Sequence, residues 1–189
     1  MYQIPPIYPY DPTATPERVL QYNDYYRVKY DICSILQPKR GAEIGVRAGY
    51  SSHAFLQACP DMEFYGIDAN NGTHGGAGGE SGQFKSYAIS ILGGYDFTYI
   101  ECDTQEIDIL PVGHLNFIHI DGDHTSSGLI HDFKISYKAL LSGGYILIDD
   151  IDYVQTVKDG VDYIIDYYGK KIESIYLPSL RGEYLIRKK

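Results

Sequence analysis

The sequence lacks the features by which several classes of protein are recognised. It has no tryptophan and only three cysteines, Cys33, Cys59 and Cys102, none of which forms a C-x-x-C pair. Neither a zinc site nor a disulfide framework is indicated, and we expect reduced thiols in a cytoplasmic protein. No apolar run approaches the ~18 residues of a membrane span. No basic region precedes an apolar stretch at the N-terminus, so no signal peptide is expected.

Basic residues are also scarce, because 16 Lys and Arg stand against 25 Asp and Glu, a formal net charge of −9. Nucleic-acid binders need a basic face and membrane-surface helices are basic and amphipathic. We therefore expect no nucleic acid and no membrane among the partners. Tyrosine is in excess, with 20 residues in a chain of 189. Packing in the core or at a subunit interface is our interpretation for most of them.

Strands alternate with helices along most of the chain. Residues 1–15 are rich in proline and predict an extended arm that packs on the body or on a second subunit of a homo-oligomer. Thr15 followed by Pro16 predicts a helix that runs to about Leu36. The strands are predicted at 42–46, 63–68, 97–103, 115–121, 144–149, 172–177 and 183–187, and the later helices at 51–58, 83–92, 126–141 and 153–168.

This alternation predicts an α/β fold with a doubly wound, mostly parallel seven-stranded sheet, formed by one domain over 16–189. The segment 178–182 is too short for a parallel crossover, so the last strand should be antiparallel. The glycine-rich segment 70–82 follows the second strand. We interpret it as a mobile lid over the binding site.

The residues that could bind a ligand or take part in a reaction lie at the ends of the parallel strands. In open α/β sheets, ligands bind beyond the carboxyl ends of the strands. The first strand contains Glu43 and leads through Gly45 and Gly49 into a helix. The later parallel strands end in Asp68, in Asp103, in Asp121 with Asp123 and His124, and in Asp149 with Asp150.

The glycine turn is not a dinucleotide fingerprint, because Glu43 stands where G-x-G-x-x-G requires its first glycine, and Tyr50 and Ser51 follow Gly49. The free N–H groups at the helix start can still bind a carboxylate, and Glu43 would accept hydrogen bonds from an amine. Asp68 lies about 20 residues beyond the turn, where an acid holds ribose hydroxyls. These features predict a nucleoside-containing cofactor. Asp103 is placed either to accept from the adenine amine or to cap a helix.

Two stretches resemble a known family. Residues 42–52 resemble motif I of the class I S-adenosylmethionine-dependent methyltransferases, and Asp68 stands at the position of their ribose-binding acid. Residues 119–150, with Asp-Gly-Asp-His at 121–124 and Asp-Asp at 149–150, resemble the metal-dependent O-methyltransferases of small molecules, sugars among them. The resemblance covers residues 40–187.

This resemblance implies transfer of a methyl group from S-adenosylmethionine to a hydroxyl of a small molecule, a sugar or polyphenol, assisted by Mg²⁺ or another divalent cation. It implies cofactor contacts from Glu43, Gly45, Gly49, Ser52, Asp68, Asp103 and Asp121. It assigns the cation to Asp121, Asp149 and Asp150. Asp123 is then the catalytic base, and His124 is a second candidate for that role.

Elementary electrostatics supports a cation at these strand ends. Three crowded carboxylates repel one another unless a cation holds them, and oxygen ligands favour Mg²⁺. Such an ion lowers the pKa of a chelated hydroxyl, which is the group to be methylated. Tyr50 and Tyr153 are candidates for stacking a sugar near this cleft. Two alternatives stay open: a methyltransferase that uses His124 or Asp123 without a metal, and a non-catalytic nucleoside- or sugar-binding domain of the same fold.

Overall fold

The computed structural model of the protein describes residues 1–6, 15–72, 74 and 83–189. Most of the predicted arm (1–15) and most of the predicted lid (70–82) lie outside the described residues. The described start of the arm packs on the body. The Gln3 N–H donates to Oε1 of Gln57 at 2.9 Å, and the ring of Tyr2 lies 5.9 Å from that of Tyr30.

The described chain contains five α-helices and seven strands. The helices are α1 (Pro16–Leu36), α2 (Tyr50–Ala58), α3 (Gln83–Leu92), α4 (Ser126–Ala139) and α5 (Gln155–Tyr168). The strands are β1 (Arg40–Ile44), β2 (Glu63–Asp68), β3 (Phe97–Glu101), β4 (Leu115–Ile120), β5 (Leu140–Ile148), β6 (Ile172–Leu177) and β7 (Glu183–Lys188). None of these helices combines the length and apolarity that crossing a bilayer requires.

All seven strands form one sheet in the order β3-β2-β1-β4-β5-β7-β6. Strands β1 to β5 pair in parallel, and β7 is antiparallel to both β5 and β6. The predicted fold class and the antiparallel last strand are therefore confirmed. The strand order reverses between β1 and β4, and this is the place where an open sheet offers a ligand crevice.

Apolar side chains are buried on both faces of the sheet, as the continuous apolar strands predict. On one face Phe55 of α2 packs against Phe64 and Phe117, and on the other Ile118 packs in the cluster that includes Phe133 of α4. These five residues are almost fully buried. The sheet is thus clamped between two helical layers, and its carboxyl edge is fixed in place.

The predicted boundary between α4 and β5 is wrong. Helix α4 ends at Ala139 rather than at residue 141, and β5 begins at Leu140 rather than at residue 144. Leu140 already pairs with Leu115 of β4, and the register shifts before the pairing resumes at Phe117. The helical pattern of apolar residues continues beyond Ala139, although the chain already pairs with β4 from Leu140. The sequence pattern alone therefore places the boundary between α4 and β5 too late.

The end of β1 lies directly against the loop that follows β4. Gly45 has φ +88°, and a Cβ atom there would stand 2.0 Å from the carbonyl oxygen of Asp121. The Gly45 N–H donates to the carbonyl of Ile67 in β2 at 2.9 Å. Glycine is required here both by the left-handed backbone and by the close approach.

We therefore expect Gly45→Ala to lower the free energy of unfolding by at least ~2 kcal/mol, because the new methyl group clashes with backbone that cannot move freely. Urea denaturation measures this change. Gly72→Ala is the matched control, because Gly72 has φ +69° but open space around its Cα. It should cost only about 1 kcal/mol of backbone strain. Equal losses in the two variants would contradict the predicted clash.

Candidate functional site

A cavity of about 350 Å³ opens at the carboxyl edge of the sheet, between the ends of β1 and β4. Most residues that the sequence marks as candidates line it. Those that line it are Glu43, Gly45, Asp68, Asp103, Asp121, Asp123, His124 and Asp150. Gly49, Ser52 and Asp149 are not among the lining residues. The carboxyl ends of the strands therefore assemble most of one site, and three of the predicted residues lie outside it.

Gly49 and Ser52 do not line the cleft but contact or precede residues that do. Gly49 stands before the first turn of α2 with φ +80°, which lets the chain turn from strand to helix. The buried Ser52 hydroxyl donates to Glu43, and Nδ1 of His119 lies 2.8 Å from the other oxygen of Glu43. Burial raises the pKa of Glu43, although these hydrogen bonds oppose the rise. The two residues thus shape the turn and orient Glu43.

Asp68 and Asp103 present carboxylates that are oriented by the backbone. Asp68 accepts from the N–H of Arg47 at 2.9 Å and from the N–H of Asn70 at 2.7 Å. The Tyr99 hydroxyl also hydrogen-bonds to Asp68, and the lone pairs that remain on the carboxylate can accept from a ligand hydroxyl. Asp103 caps the short 3₁₀ turn Thr104–Glu106, so the helix-cap alternative is confirmed for it.

His74 contacts two acids of the cleft. Its Nε2 lies 2.7 Å from Oδ2 of Asp103, and its Nδ1 lies 3.6 Å from Oδ2 of Asp123. Burial alone would raise the pKa of Asp103, but the hydrogen bonds from His74 and from the Gln105 backbone outweigh it and lower that pKa. Asp103 is therefore an ionised acceptor at neutral pH.

Asp121, His124 and Asp150 form a compact group in which one potential ligand atom from each lies within 4.8 Å of the others. Nε2 of His124 is 3.1 Å from Oδ1 of Asp121 and 3.6 Å from Oδ2 of Asp150. The hydrogen bond with Asp121 raises the pKa of His124 to about 9, in spite of partial burial. Two carboxylates and one imidazole fit a divalent cation, whose binding would displace the proton that His124 otherwise holds.

Asp149 and Asp150 are neighbours in sequence but face different surroundings. Asp150 has φ +62°, an uncommon conformation for a residue other than glycine. Both are buried, but Asp150 turns to the cleft, whereas Asp149 lies 3.0 Å from the ammonium of Lys29 in α1. The expected triad of Asp121, Asp149 and Asp150 is therefore not assembled, because the ammonium of Lys29 pairs with Asp149.

Lys29 is the centre of a buried chain of charges. Its ammonium bonds to Glu183 at the start of β7 as well as to Asp149, and it is fully buried. Burial opposes the charge of Lys29, but the two carboxylates outweigh it and raise the pKa of the ammonium. His119 lies between Asp149, at 3.7 Å, and Glu43, at 2.8 Å. The chain of charges thus connects α1 with the glycine turn.

Three tyrosines of α1 and one arginine complete the cleft. Tyr22, Tyr25 and Tyr26 line the cavity, as do the predicted Tyr50 and Tyr153. The Tyr25 hydroxyl also donates to Asp149. This wall was not predicted, because tyrosines on helix faces were interpreted from the sequence as packing residues.

Arg181, on the loop between β6 and β7, is a second part of the cleft, after the tyrosines of α1, that the sequence did not predict. Its Nη1 donates to Oδ1 of Asp150 at 3.1 Å, and its guanidinium carbon lies 5.3 Å from the Tyr25 ring centre and 4.9 Å from that of Tyr153. No local pattern marks this arginine. Lys29 had a signal, since it lies three and four residues after two buried tyrosines, on the buried face of α1.

The buried charges predict how stability depends on pH. Burial would lower the pKa of His119, but Asp149 and Glu43 outweigh it and raise that pKa from 6.5 to about 9. The imidazolium therefore stabilises the fold fully below about pH 6.5, and this contribution is lost as pH rises through about 9. The shift corresponds to at most about 3 kcal/mol.

We expect the unfolding free energy of the wild type to fall between pH 6.5 and 9.5 more steeply than that of His119→Gln, as measured by urea denaturation. His114→Gln is the control, because His114 takes no part in this chain of charges. If wild type and His119→Gln show parallel slopes, His119 is not charged in the folded protein.

Comparison with known sequences gives one family match and one short relative. Residues 42–151 match the profile of a family described as a methyltransferase domain. An uncharacterized protein, R132 of Acanthamoeba polyphaga mimivirus, is 41% identical over 54 residues. That match spans 29% of this chain and only 24% of the viral protein.

Solved structures with the same fold include several methyltransferases. The O-methyltransferase TomG of Streptomyces achromogenes, in complex with S-adenosylmethionine, has a TM-score of 0.65 and 16% identity, and the match covers 87% of this chain and 79% of TomG. The methyltransferase PaMTH1 of Podospora anserina, bound to S-adenosylhomocysteine, has a TM-score of 0.67 and 19% identity, with 94% and 83% covered. The family match extends over more than half of the chain. The chain therefore belongs to the methyltransferase domain family and has the fold of the S-adenosylmethionine-dependent O-methyltransferases.

Proposed function

We propose that the protein transfers a methyl group from S-adenosylmethionine to a hydroxyl of a small molecule, a sugar or a polyphenol, with the help of a divalent cation. The observation that carries the proposal is that one cleft holds both a glycine turn with two oriented acids and the adjoining group of Asp121, His124 and Asp150. The glycine turn and the two acids suit a cofactor that contains an amino acid and a nucleoside. The group of Asp121, His124 and Asp150 suits a cation that binds the acceptor oxygen.

The cofactor half is supported by the order of its residues along the sheet edge. The glycine turn at Gly45 borders the cleft, and Glu43 behind it suits an ammonium group. Asp68 at the end of β2 suits the ribose hydroxyls, and Asp103 after β3 suits the adenine amine. The structural neighbours TomG and PaMTH1 bind S-adenosylmethionine and S-adenosylhomocysteine, respectively.

The acceptor half lies between α1 and the loop after β4. Asp121 and Asp150, with His124, would hold the cation, which supplies positive charge that lowers the pKa of an acceptor hydroxyl. Asp123 accepts from the N–H of Thr125 through Oδ1 at 2.8 Å, so its Oδ2, which lies 3.6 Å from Nδ1 of His74, is the oxygen that would act as a base. The acceptor oxygen attacks the sulfonium methyl, the carbon–sulfur bond breaks, and the hydroxyl proton passes to this carboxylate.

A metal-independent reaction is the second candidate, and Arg181 is the observation that favours it. The guanidinium neutralises Asp150 and faces the cleft between two tyrosine rings. A fixed positive charge at this place would also stabilise the oxyanion of an acceptor. The two candidates differ in what a chelator does to turnover.

The first prediction concerns the cofactor. Calorimetric titration with S-adenosylhomocysteine should show micromolar binding to the wild type. Asp68→Asn should weaken it by roughly 10- to 100-fold, because the charged hydrogen bonds to ribose are lost while the shape is kept. Asp61→Asn, an exposed acid just before β2, is the control and should bind as the wild type does. Absence of binding to the wild type would exclude the methyltransferase proposal.

The second prediction concerns the cation. Methyl transfer from labelled S-adenosylmethionine to catechol, or to a methyl glycoside, should stop in EDTA and return when Mg²⁺ or Mn²⁺ is restored in excess. S-adenosylhomocysteine binding should survive the chelator, because Glu43, Gly45, Asp68 and Asp103 of the cofactor half are not in the cation group. Turnover that persists in EDTA would favour the role of Arg181 instead.

A further inference from the structure

Both oxygens of Asp149 already accept from donors within the protein. Its Oδ1 accepts the N–H of Asp150 at 2.8 Å. Its Oδ2 accepts the Tyr25 hydroxyl and lies 3.0 Å from the Lys29 ammonium. The carboxylate is buried, and the nearby imidazole of His119 adds a further positive charge at 3.7 Å. Each oxygen of Asp149 is therefore already engaged by donors within the protein.

Lys29 makes a second cation at Asp149 unfavourable. The ammonium is fully buried, bridges Asp149 and Glu183, and stands 3.8 Å from the centre of the Tyr25 ring. Charges interact strongly in such a poorly solvated place, so a divalent ion bound to Asp149 would be repelled by Lys29 at close range. Moving Lys29 away would leave Glu183 as a buried, unpaired carboxylate, which is itself costly.

His124 is placed where a third ligand is needed. Its Nε2 lies between Oδ1 of Asp121 and Oδ2 of Asp150. Arg181 takes the other oxygen of Asp150, so Oδ2 is the one left for an ion. An imidazole nitrogen among the ligands favours first-row transition ions, whereas Mg²⁺ prefers oxygen ligands throughout.

We propose that Lys29 is the permanent counter-ion of Asp149, and that His124 replaces Asp149 as a ligand of the divalent cation. This inference rests on the proposed function, since it concerns the cation of that same site. The consequence is a site formed by Asp121, His124 and Asp150 that selects Mn²⁺ or a similar transition ion over Mg²⁺. The role of Asp149 is then structural, because it pairs with Lys29 of α1 and accepts the N–H of Asp150.

Cation binding to the full chain tests the proposal directly. Free Mn²⁺ is measured by electron paramagnetic resonance during titration of the wild type, Asp149→Asn and Asp121→Asn, with Asp162→Asn of α5 as an exposed control. We expect Asp149→Asn and Asp162→Asn to stay within about threefold of the wild type, and Asp121→Asn to weaken binding by at least about tenfold. Competition should show that Mg²⁺ binds at least about tenfold more weakly than Mn²⁺.

A second measurement needs no change at Asp149, whose replacement leaves a buried ammonium with one partner fewer and is able to impair folding. Electron spin echo modulation of Mn²⁺ bound to the wild type should show coupling to a directly ligated nitrogen. His124→Gln should abolish this coupling. Spectra without nitrogen coupling, or losses of affinity in Asp149→Asn as large as in Asp121→Asn, would overturn the proposal.

S-adenosylhomocysteine titration of the same samples separates this inference from the proposed function. Binding of the cofactor product together with an all-oxygen cation site would overturn only the ligand set. Binding of the product without any Mn²⁺ binding would overturn the cation site and leave the metal-independent reaction. Absence of product binding to the wild type would reject the methyltransferase proposal itself.

Discussion

The buried ion pair between Lys29 and Asp149 is the interaction on which the arrangement of the site depends. It joins α1 to the end of β5, and through Glu183 it also joins the start of β7. Buried charges persist only when they are paired and hydrogen-bonded, so removal of either partner leaves a large penalty. The pair therefore fixes α1 over the cleft and determines which acid of the Asp149-Asp150 pair faces the ligand.

The cleft itself follows from the topology of the sheet. Parallel strands deliver their carboxyl ends to one edge, and the strand order reverses between β1 and β4. Gly45 lets β1 approach the backbone of Asp121, which brings the glycine turn next to the loop after β4. The cofactor residues and the acidic group consequently share one cavity. The excess of acidic residues thus has a local meaning, because many of them lie at this edge.

The sequence predicted most of the fold because its signals are local and repeated. Apolar strands separated by helical patterns, and a closing segment too short for a crossover, were sufficient to give the sheet and its antiparallel end. Strand-end reasoning also gave Glu43, Gly45, Asp68 and Asp103 as cleft residues. The boundary between α4 and β5 was placed too late, because pairing with β4 overrides a helical periodicity that runs on past Ala139.

What the sequence determined by itself was the alternation of elements, the chemistry at each strand end and hence the class of the protein. Only the tertiary structure decided how neighbouring acids divide their tasks. Asp149 and Asp150 are equivalent in a sequence pattern, but Lys29 and Arg181 reach them from distant parts of the chain. Coulombic attraction depends on distance in space and on burial rather than on separation in sequence. For this reason the partners of each carboxylate became apparent only in the folded molecule.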